Sequence, residues 1–251
     1  MDDLDPFLRR AALPPGWRVR VSAVVGSTND LAREAGRRGE AGRTVFVADF
    51  QTAGRGRQGR TWVAPPGFGL LFSVLFRLPA AGAPPLHCTM LVAVALAEAL
   101  ERHGLRPAIK WPNDVLLEGR KVAGILAEAF QDGDERVVVV GCGVNVGDGP
   151  RLPPGLPPTA TTLGAAVGER LHRGALLVEI LEGIERWRGE PAARLRQAWQ
   201  ARLWGRDQVI RAVEGGEAIS GTIAAVDEDG TLLLRLADGS TRRLVSGELL
   251  P

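Results

Sequence analysis

Three glycines are interleaved with arginines in the segment Gln51-Thr-Ala-Gly54-Arg55-Gly56-Arg57-Gln-Gly59-Arg60-Thr-Trp62. Glycine lets a backbone take left-handed conformations and bring its N–H groups against an anion. Arginine can clamp phosphate or carboxylate oxygens in bidentate fashion, and Trp62 can stack on a base or a guanidinium. The same composition also describes a mobile solvated loop, or an arginine–glycine segment that binds RNA. The loop alone does not choose among these. No Gly-Lys pair occurs in the chain, which excludes the usual P-loop.

A second cluster stands out by residue type. Of 31 Lys+Arg residues only Lys110 and Lys121 are lysine, and they lie close together in Lys110-Trp-Pro-Asn113-Asp114 and Arg120-Lys121-Val-Ala-Gly-Ile. An ammonium is a compact point charge on a flexible stem, whereas a guanidinium is a planar fork. A chain that otherwise uses arginine points to a site here that needs the point charge. Asp114 offers hard carboxylate oxygen of the kind Mg²⁺ takes, although an aspartate in a turn more often serves the turn itself. In Gly141-Cys-Gly143-Val-Asn145-Val-Gly147 the glycines allow close backbone approach and Asn145 brings an amide. Ser27-Thr28-Asn29-Asp30 reads first as a set of helix caps. A helix N-terminus also presents N–H donors, so capping and ligand binding can coexist there.

The elements that must position these residues follow from periodicity. Residues 1–16 read as a frayed start broken at Pro14-Pro15-Gly16. Arg18–Val25 and Thr44–Ala48 read as strands, with a helix between them from Ser27-Thr28. Gly69–Arg77 reads as a strand with Leu70, Phe72, Val74 and Phe76 on one face. Leu86–His103 is a strongly apolar helix. Pro107–Trp111, Asp114–Leu117, Val122–Phe130 and Arg136–Val146 are short apolar runs, punctuated by Glu118-Gly119 and Asp132-Gly133, and predict an antiparallel meander that completes a mixed sheet. Residues 148–158 predict a surface loop, and Ala175–Trp187 and Ala192–Leu203 predict helices. From Gly205 the texture changes. Gln208–Val213, Ala218–Val226, Thr231–Leu236 and Thr241–Val245 predict strands joined by tight turns, which implies a small SH3-like β-barrel.

Composition sets the outer bounds. The 251 residues suffice for one large domain and one small one, with the division placed at 1–203 and 204–251. At 45% hydrophobic and 24% charged, the chain has ordinary globular composition. Its longest apolar run is too short to span a bilayer. No secretory signal is read at the N-terminus. Two cysteines, Cys88 and Cys142, give neither a disulfide framework nor metal-ligand spacing, which fits a reducing cytoplasm. A net charge of +2 does not suit a binder of polyanions.

In this order, Ser27-Thr28-Asn29, Gln51…Gly54-Arg55-Gly56-Arg57, Lys110-Trp-Pro-Asn113-Asp114, Arg120-Lys121-Val-Ala-Gly124-Ile and Gly143-Val-Asn145-Val closely resemble biotin protein ligases. The resemblance spans residues 27–147, and the later helices and small barrel match that family's layout. It implies an α+β fold, a mixed sheet flanked by helices of the class II synthetase-like biotinyl/lipoyl ligase type, with the barrel at the C-terminus. The implied activity forms biotinyl-5′-AMP from biotin and ATP with Mg²⁺. Biotin then passes to a lysine of a biotin carboxyl carrier protein, that of acetyl-CoA carboxylase or a related carboxylase.

By the same resemblance, Ser27, Thr28, Asn29 and Gln51 hold biotin. Arg55, Gly56 and Arg57 form the loop that closes over biotin and the adenylate phosphate. Lys121 touches biotin carboxylate and α-phosphate, and with Arg57 is the catalytic candidate. Trp62, Lys110, Asn113 and Asn145 lie at the nucleotide, and Asp114 is the candidate metal contact. A homodimer is compatible with the family and with base rates. The first motif arrives at Ser27, so the N-terminal helix-turn-helix of some members is not expected, nor is DNA or other nucleic acid as a partner.

Two other readings compete. Lipoate ligases and octanoyltransferases share the expected fold but carry different Arg- and Gly-rich signatures. An RNA-binding protein would use the Gly/Arg loop, but the positive charge here is local. His87, His103 and His172 lie outside every motif. His87 and Cys88 point to different faces of a predicted helix, so no covalent enzyme intermediate is expected.

Overall fold

The computed structural model describes residues 4–82, 84–147, 149 and 156–250. The chain opens with α1 (Leu4–Arg10), β1 (Arg18–Val25), α2 (Thr28–Arg37), β2 (Thr44–Gln51), β3 (Gly69–Pro79) and α3 (Pro85–Arg102). Next come β4 (Pro107–Lys110), β5 (Asp114–Leu117), β6 (Arg120–Asp132) and β7 (Glu135–Asn145), then α4 (Leu163–Val167), α5 (Arg173–Arg188) and α6 (Ala192–Ala201). β8 (Val209–Glu214), β9 (Glu217–Val226), β10 (Leu232–Arg235), β11 (Thr241–Leu244) and β12 (Glu248–Leu250) complete it. Most of the surface loop expected over residues 148–158 lies outside the described residues.

The first seven strands form one sheet in the order β1-β2-β3-β7-β6-β5-β4. Only β1 and β2 run parallel; the other neighbours are antiparallel. Glu118 and Gly119 take positive φ, 50° and 76°, as a tight hairpin between short strands requires. α3 is buried almost all round, with α5 and α6 packed on it over one face of the sheet. α2 covers part of the other face, where Ala32 packs with Phe46, Leu75, Val137 and Val139. β3 therefore differs from the one-faced strand its alternation predicts. Leu71 and Leu75 are as buried as Leu70 and Phe72, because both sides of the sheet are covered.

A further expectation changes. Of the start expected to be frayed over residues 1–16, residues 1–3 lie outside the described residues, and Leu4 and Leu8, one turn apart, are buried in α1. Trp17 behind it donates from Nε1 to Glu185 at 2.9 Å. Two short elements, α4 and β12, carry too few residues for a periodic signal. The last five strands form an antiparallel sheet in the order β11-β10-β9-β8-β12, the small SH3-like unit. It is fastened to the larger sheet. Ile109 N donates to Arg202 O and its carbonyl accepts from Trp204 N, and the buried Trp111 donates from Nε1 to Gly230 O at 3.0 Å.

Candidate functional site

The site begins where the α2-covered face of the sheet changes character. Side chains two apart along a strand share a face. On β7 that face reads Val137, Val139, Gly141, Gly143. The valines lie under α2, and the glycines begin at its N-terminus, leaving a cavity of about 750 Å³. Gly143 pairs with Gly124 of β6, which widens the floor. What stands on each glycine explains its type. A Cβ at Gly143 would sit 2.5 Å from the Trp62 indole, and one at Gly141 would sit 2.1 Å from Asn29 Oδ1. Cys142 between them points into the core, where burial pushes its thiol up; Cys88 is pushed up to about 12 in the same way. Neither supplies a thiolate.

One half of the cavity is neutral and hydrogen-bonded. Ser27 occupies the N-cap position of α2, but its side chain makes no capping bond. Gln51 Oε1 instead accepts from Thr28 N at 2.7 Å and lies 3.0 Å from Thr28 Oγ1. Asn29 Nδ2 donates to Glu128 Oε2 at 2.7 Å. The other half holds Trp62, lying over Gly143, and Asn145. Asn145 Nδ2 donates to Thr161 O at 3.1 Å, whereas its buried Oδ1 and the buried Trp62 Nε1 have no hydrogen-bond partner among the described residues. An unpaired acceptor and an unpaired donor buried in one cavity are groups that a ligand would satisfy.

Cations stand at the junction. Lys121 Nζ lies 2.6 Å from Asp114 Oδ1 and 5.7 Å from the Trp62 ring centroid. A Cβ at Gly124 would come within 3.2 Å of Lys121 Nζ, so the ammonium rests on bare backbone. Lys110 Nζ is 5.4 Å above Trp204. Asn113 is occupied otherwise: its Nδ2 donates to Ile125 O at 2.9 Å and its carbonyl accepts from Ile125 N, pinning the β4–β5 turn to β6.

The Gly/Arg loop is a tethered hairpin rather than a free one. Gly56 N donates to Arg60 O at 2.7 Å and Trp62 N to Gly54 O at 3.0 Å. Arg55 grips Asp30 through two bonds of 2.7 and 2.8 Å. That hydrogen-bonded pair pulls the Asp30 carboxyl below its ordinary range and raises the Arg55 guanidinium. Arg60 pairs with Glu248 at the start of β12. Among the described residues Arg57 donates to a backbone carbonyl, Gly247 O, at 3.3 Å. Burial pushes its guanidinium down, against the opposing charge of Asp114. Gly54, Gly56 and Gly59 match the spacing of a dinucleotide fingerprint, but the segment holds one 3-10 turn, Arg57–Gly59, and leads into β3, so no α-helix N-terminus faces a pyrophosphate.

Residues 21–145 match the model of the biotin/lipoate A/B protein ligase family, and 207–249 that of the biotin protein ligase C-terminal domain. The biotin–[acetyl-CoA-carboxylase] ligase of Mycobacterium tuberculosis is 34% identical over 247 residues, 94% of this chain and 90% of that protein. This chain belongs to the biotin protein ligase family. The bifunctional ligase/repressor BirA of Bacillus subtilis is 34% identical over 86% of the chain and 69% of its own length. A biotin protein ligase of Aquifex aeolicus, solved with biotin and ATP, superposes with a TM-score of 0.77 at 27% identity, covering 93% of this chain and 97% of that one.

In this ligase every residue that the sequence singled out for the site lines the same cavity, from Ser27 to Asn145. Their roles differ from a plain reading of the motifs in one respect. Arg55 and Arg60 spend their charge within the protein, which leaves Arg57 as the loop arginine with no carboxylate bonded among the described residues. Sequence reasoning missed Ser73 and Glu128, which hold Asn29 in place. The available signal was a serine in the apolar run Leu70–Phe76 and a glutamate in the run Val122–Phe130. No helix among the described residues is long and apolar enough to cross a membrane.

Proposed function

We propose that the enzyme joins biotin to ATP as biotinyl-5′-AMP and then biotinylates a lysine of a biotin carboxyl carrier protein, that of acetyl-CoA carboxylase or a related carboxylase. The observation that carries this reading is the placing of Lys121 at the junction of a neutral, amide-lined half-cavity and an aromatic one. The neutral set of Ser27, Thr28, Asn29 and Gln51 suits an uncharged ureido ring, which both donates and accepts. Trp62 and the free acceptor of Asn145 suit a purine with an exocyclic amine.

A carboxylate oxygen of biotin attacks the α-phosphorus, the bond to pyrophosphate breaks, and pyrophosphate leaves with its electron pair. Two anions must meet for this, so Lys121 and Arg57 offset their repulsion and the charge that develops between them. The acceptor lysine, as the free amine, then attacks the acyl carbon; AMP leaves and the amine proton passes to solvent. Among the described residues no cluster of three or more His, Cys, Asp or Glu side chains could hold a resident metal. A single carboxylate, Asp114, suits instead a Mg²⁺ that arrives on the ATP phosphates and neutralises part of their charge.

The test is incubation of the pure protein with labelled biotin and Mg-ATP, with and without carrier domains. Label should reach a carrier lysine only when ATP is present. Equal turnover of lipoate or octanoate, or no pyrophosphate release with biotin, would refute this reading.

Two predictions arise here. Gly143→Ala sets a Cβ 2.5 Å from the Trp62 indole, so the ring must move. The KM for ATP should rise about tenfold, the effect of a typical overpacking, while the KM for biotin changes little. An unchanged KM for ATP would place the nucleotide elsewhere. Removal of Gly205–Pro251 deprives Trp111 and Arg57 of their partners on the barrel. We place the catalytic domain at 1–203 and the barrel at 204–251, as parts that work together. Biotin transfer should fall by roughly fivefold or more, the worth of about one buried hydrogen bond. A soluble 1–204 chain that transfers biotin at full rate would show the barrel dispensable.

A further inference from the structure

Asn29 is held from three sides by groups that the proposed reaction does not use. Its Nδ2 donates to Glu128 Oε2 at 2.7 Å, with the weaker contact to Leu126 O at 3.4 Å. Its Oδ1 lies 2.6 Å from the hydroxyl of Ser73, which is wholly buried. Beneath it Gly141 leaves room that any side chain would fill, since a Cβ there would stand 2.1 Å from Oδ1.

The charge on Glu128 decides which way the amide faces. A carboxylate can only accept, so the amide must turn Nδ2 toward it and Oδ1 toward Ser73. Ser73 Oγ lies within 2.7 Å of Thr28 Oγ1 as well, but it has one proton. Asn29 Oδ1 has none to offer, so it takes the Ser73 proton, and Thr28 becomes the donor in the Ser73–Thr28 contact. Gln51 Oε1 is then satisfied by Thr28 N–H at 2.7 Å. One carboxylate thus fixes the direction of a hydrogen-bond chain running Glu128–Asn29–Ser73–Thr28, which leaves the Thr28 hydroxyl proton unavailable to Gln51 Oε1, 3.0 Å away. The same carboxylate lies 3.5 Å from Arg55 and 3.7 Å from Arg33, which hold it in place.

We propose that Glu128 is a positioning residue for biotin, which sets through Asn29 and Ser73 the donor and acceptor pattern that the neutral half of the cavity offers its substrate. This rests on the reading in which Thr28, Asn29 and Gln51 hold biotin. Glu128 itself need not touch the ligand. Without its charge the Asn29 amide is free to turn over, and the chain loses its single direction.

The experiment measures pyrophosphate release by the full-length enzyme with biotin and ATP varied separately, for Glu128→Gln, Asn29→Ala and the double variant. Glu128→Gln should raise the KM for biotin about fivefold to tenfold, the difference between a charge-assisted and a neutral hydrogen bond. The KM for ATP and kcat should change little. In the Asn29→Ala background, Glu128→Gln should raise the KM for biotin no further, because its effect runs through that amide. Ser73→Ala should reproduce the Glu128→Gln pattern. Additive effects in the double variant would show that Glu128 acts by another route, such as Arg55, and would overturn the proposal. So would an unchanged KM for biotin in Glu128→Gln alongside a raised one in Asn29→Ala, or a joint loss of kcat, both KM values and thermal stability. If Asn29→Ala itself leaves the KM for biotin unaltered, the biotin-site reading fails first and takes this proposal with it.

Discussion

Lys121→Arg should keep the fold and slow biotinyl-adenylate formation by roughly a hundredfold, the scale on which one well-placed charge or donor at a transition state acts. The fold should survive because the backbone here is held independently of the side chain. Lys121 N donates to Thr159 O and its carbonyl accepts from Thr161 N, both at 2.8 Å. The rate should fall because a fork cannot do the work of a point charge here. The ammonium lies over Gly124, where even a Cβ would crowd it, and 2.6 Å from Asp114. A guanidinium beside that carboxylate would form a bidentate pair with it. Its charge would then be committed to Asp114 instead of standing between two substrate anions. The chain's use of arginine at 29 of its 31 basic positions makes the exception informative. Pyrophosphate release at saturating biotin and ATP checks this. A near-normal rate in Lys121→Arg would sink the idea that an ammonium is required.

Periodicity and turn residues made most of the sheet legible. The hairpins at Glu118-Gly119 and Asp132-Gly133 join strands whose register brings Gly124 beside Gly143. Sequence could say that Gly141 and Gly143 permit a close approach. It could not say what approaches, because Asn29 and Trp62 come from distant parts of the chain. Ser73 and Glu128 were hidden for the same reason: each is one polar residue in an apolar run, and its meaning depends on a partner in α2. Local pattern was also silent on the loop's anchors. Arg60 and Glu248 stand 188 positions apart. Glycine content suggested a loop that is entropically costly to order without a ligand. The Asp30 and Glu248 carboxylates offset part of that cost within the protein itself. Asp114 shows the limit for metal sites, since a lone aspartate in a turn gave no hint that an ammonium would sit against it.

Because Arg55 and Arg60 are anchored, the Gly54–Gly59 loop should stay tethered when Arg57 is removed, and Arg57→Gly should isolate what that one cation does. Arg57 is half-buried, and its described hydrogen bond reaches a neutral carbonyl at 3.3 Å. A guanidinium held out of water without a bonded carboxylate is costly until an anion arrives, and burial pushes its pKa down accordingly. The adenylate phosphate would supply that anion. Biotinyl-AMP is a reactive mixed anhydride, so its retention matters as much as its synthesis. Arg57→Gly should release it roughly a hundredfold faster, the upper range for losing a charge-assisted pair. Adenylation itself should suffer less than in Lys121→Ala, because Lys121 keeps its place over Gly124. Free biotinyl-AMP would then label lysines that the enzyme never binds. Adenylate escape is read by chasing preformed enzyme-bound intermediate with excess unlabelled biotin, and stray transfer by biotin found on an unrelated lysine-rich protein. Retention as tight as that of the unaltered enzyme would mean that Arg57 does not hold the intermediate, and its buried charge would need a different anion.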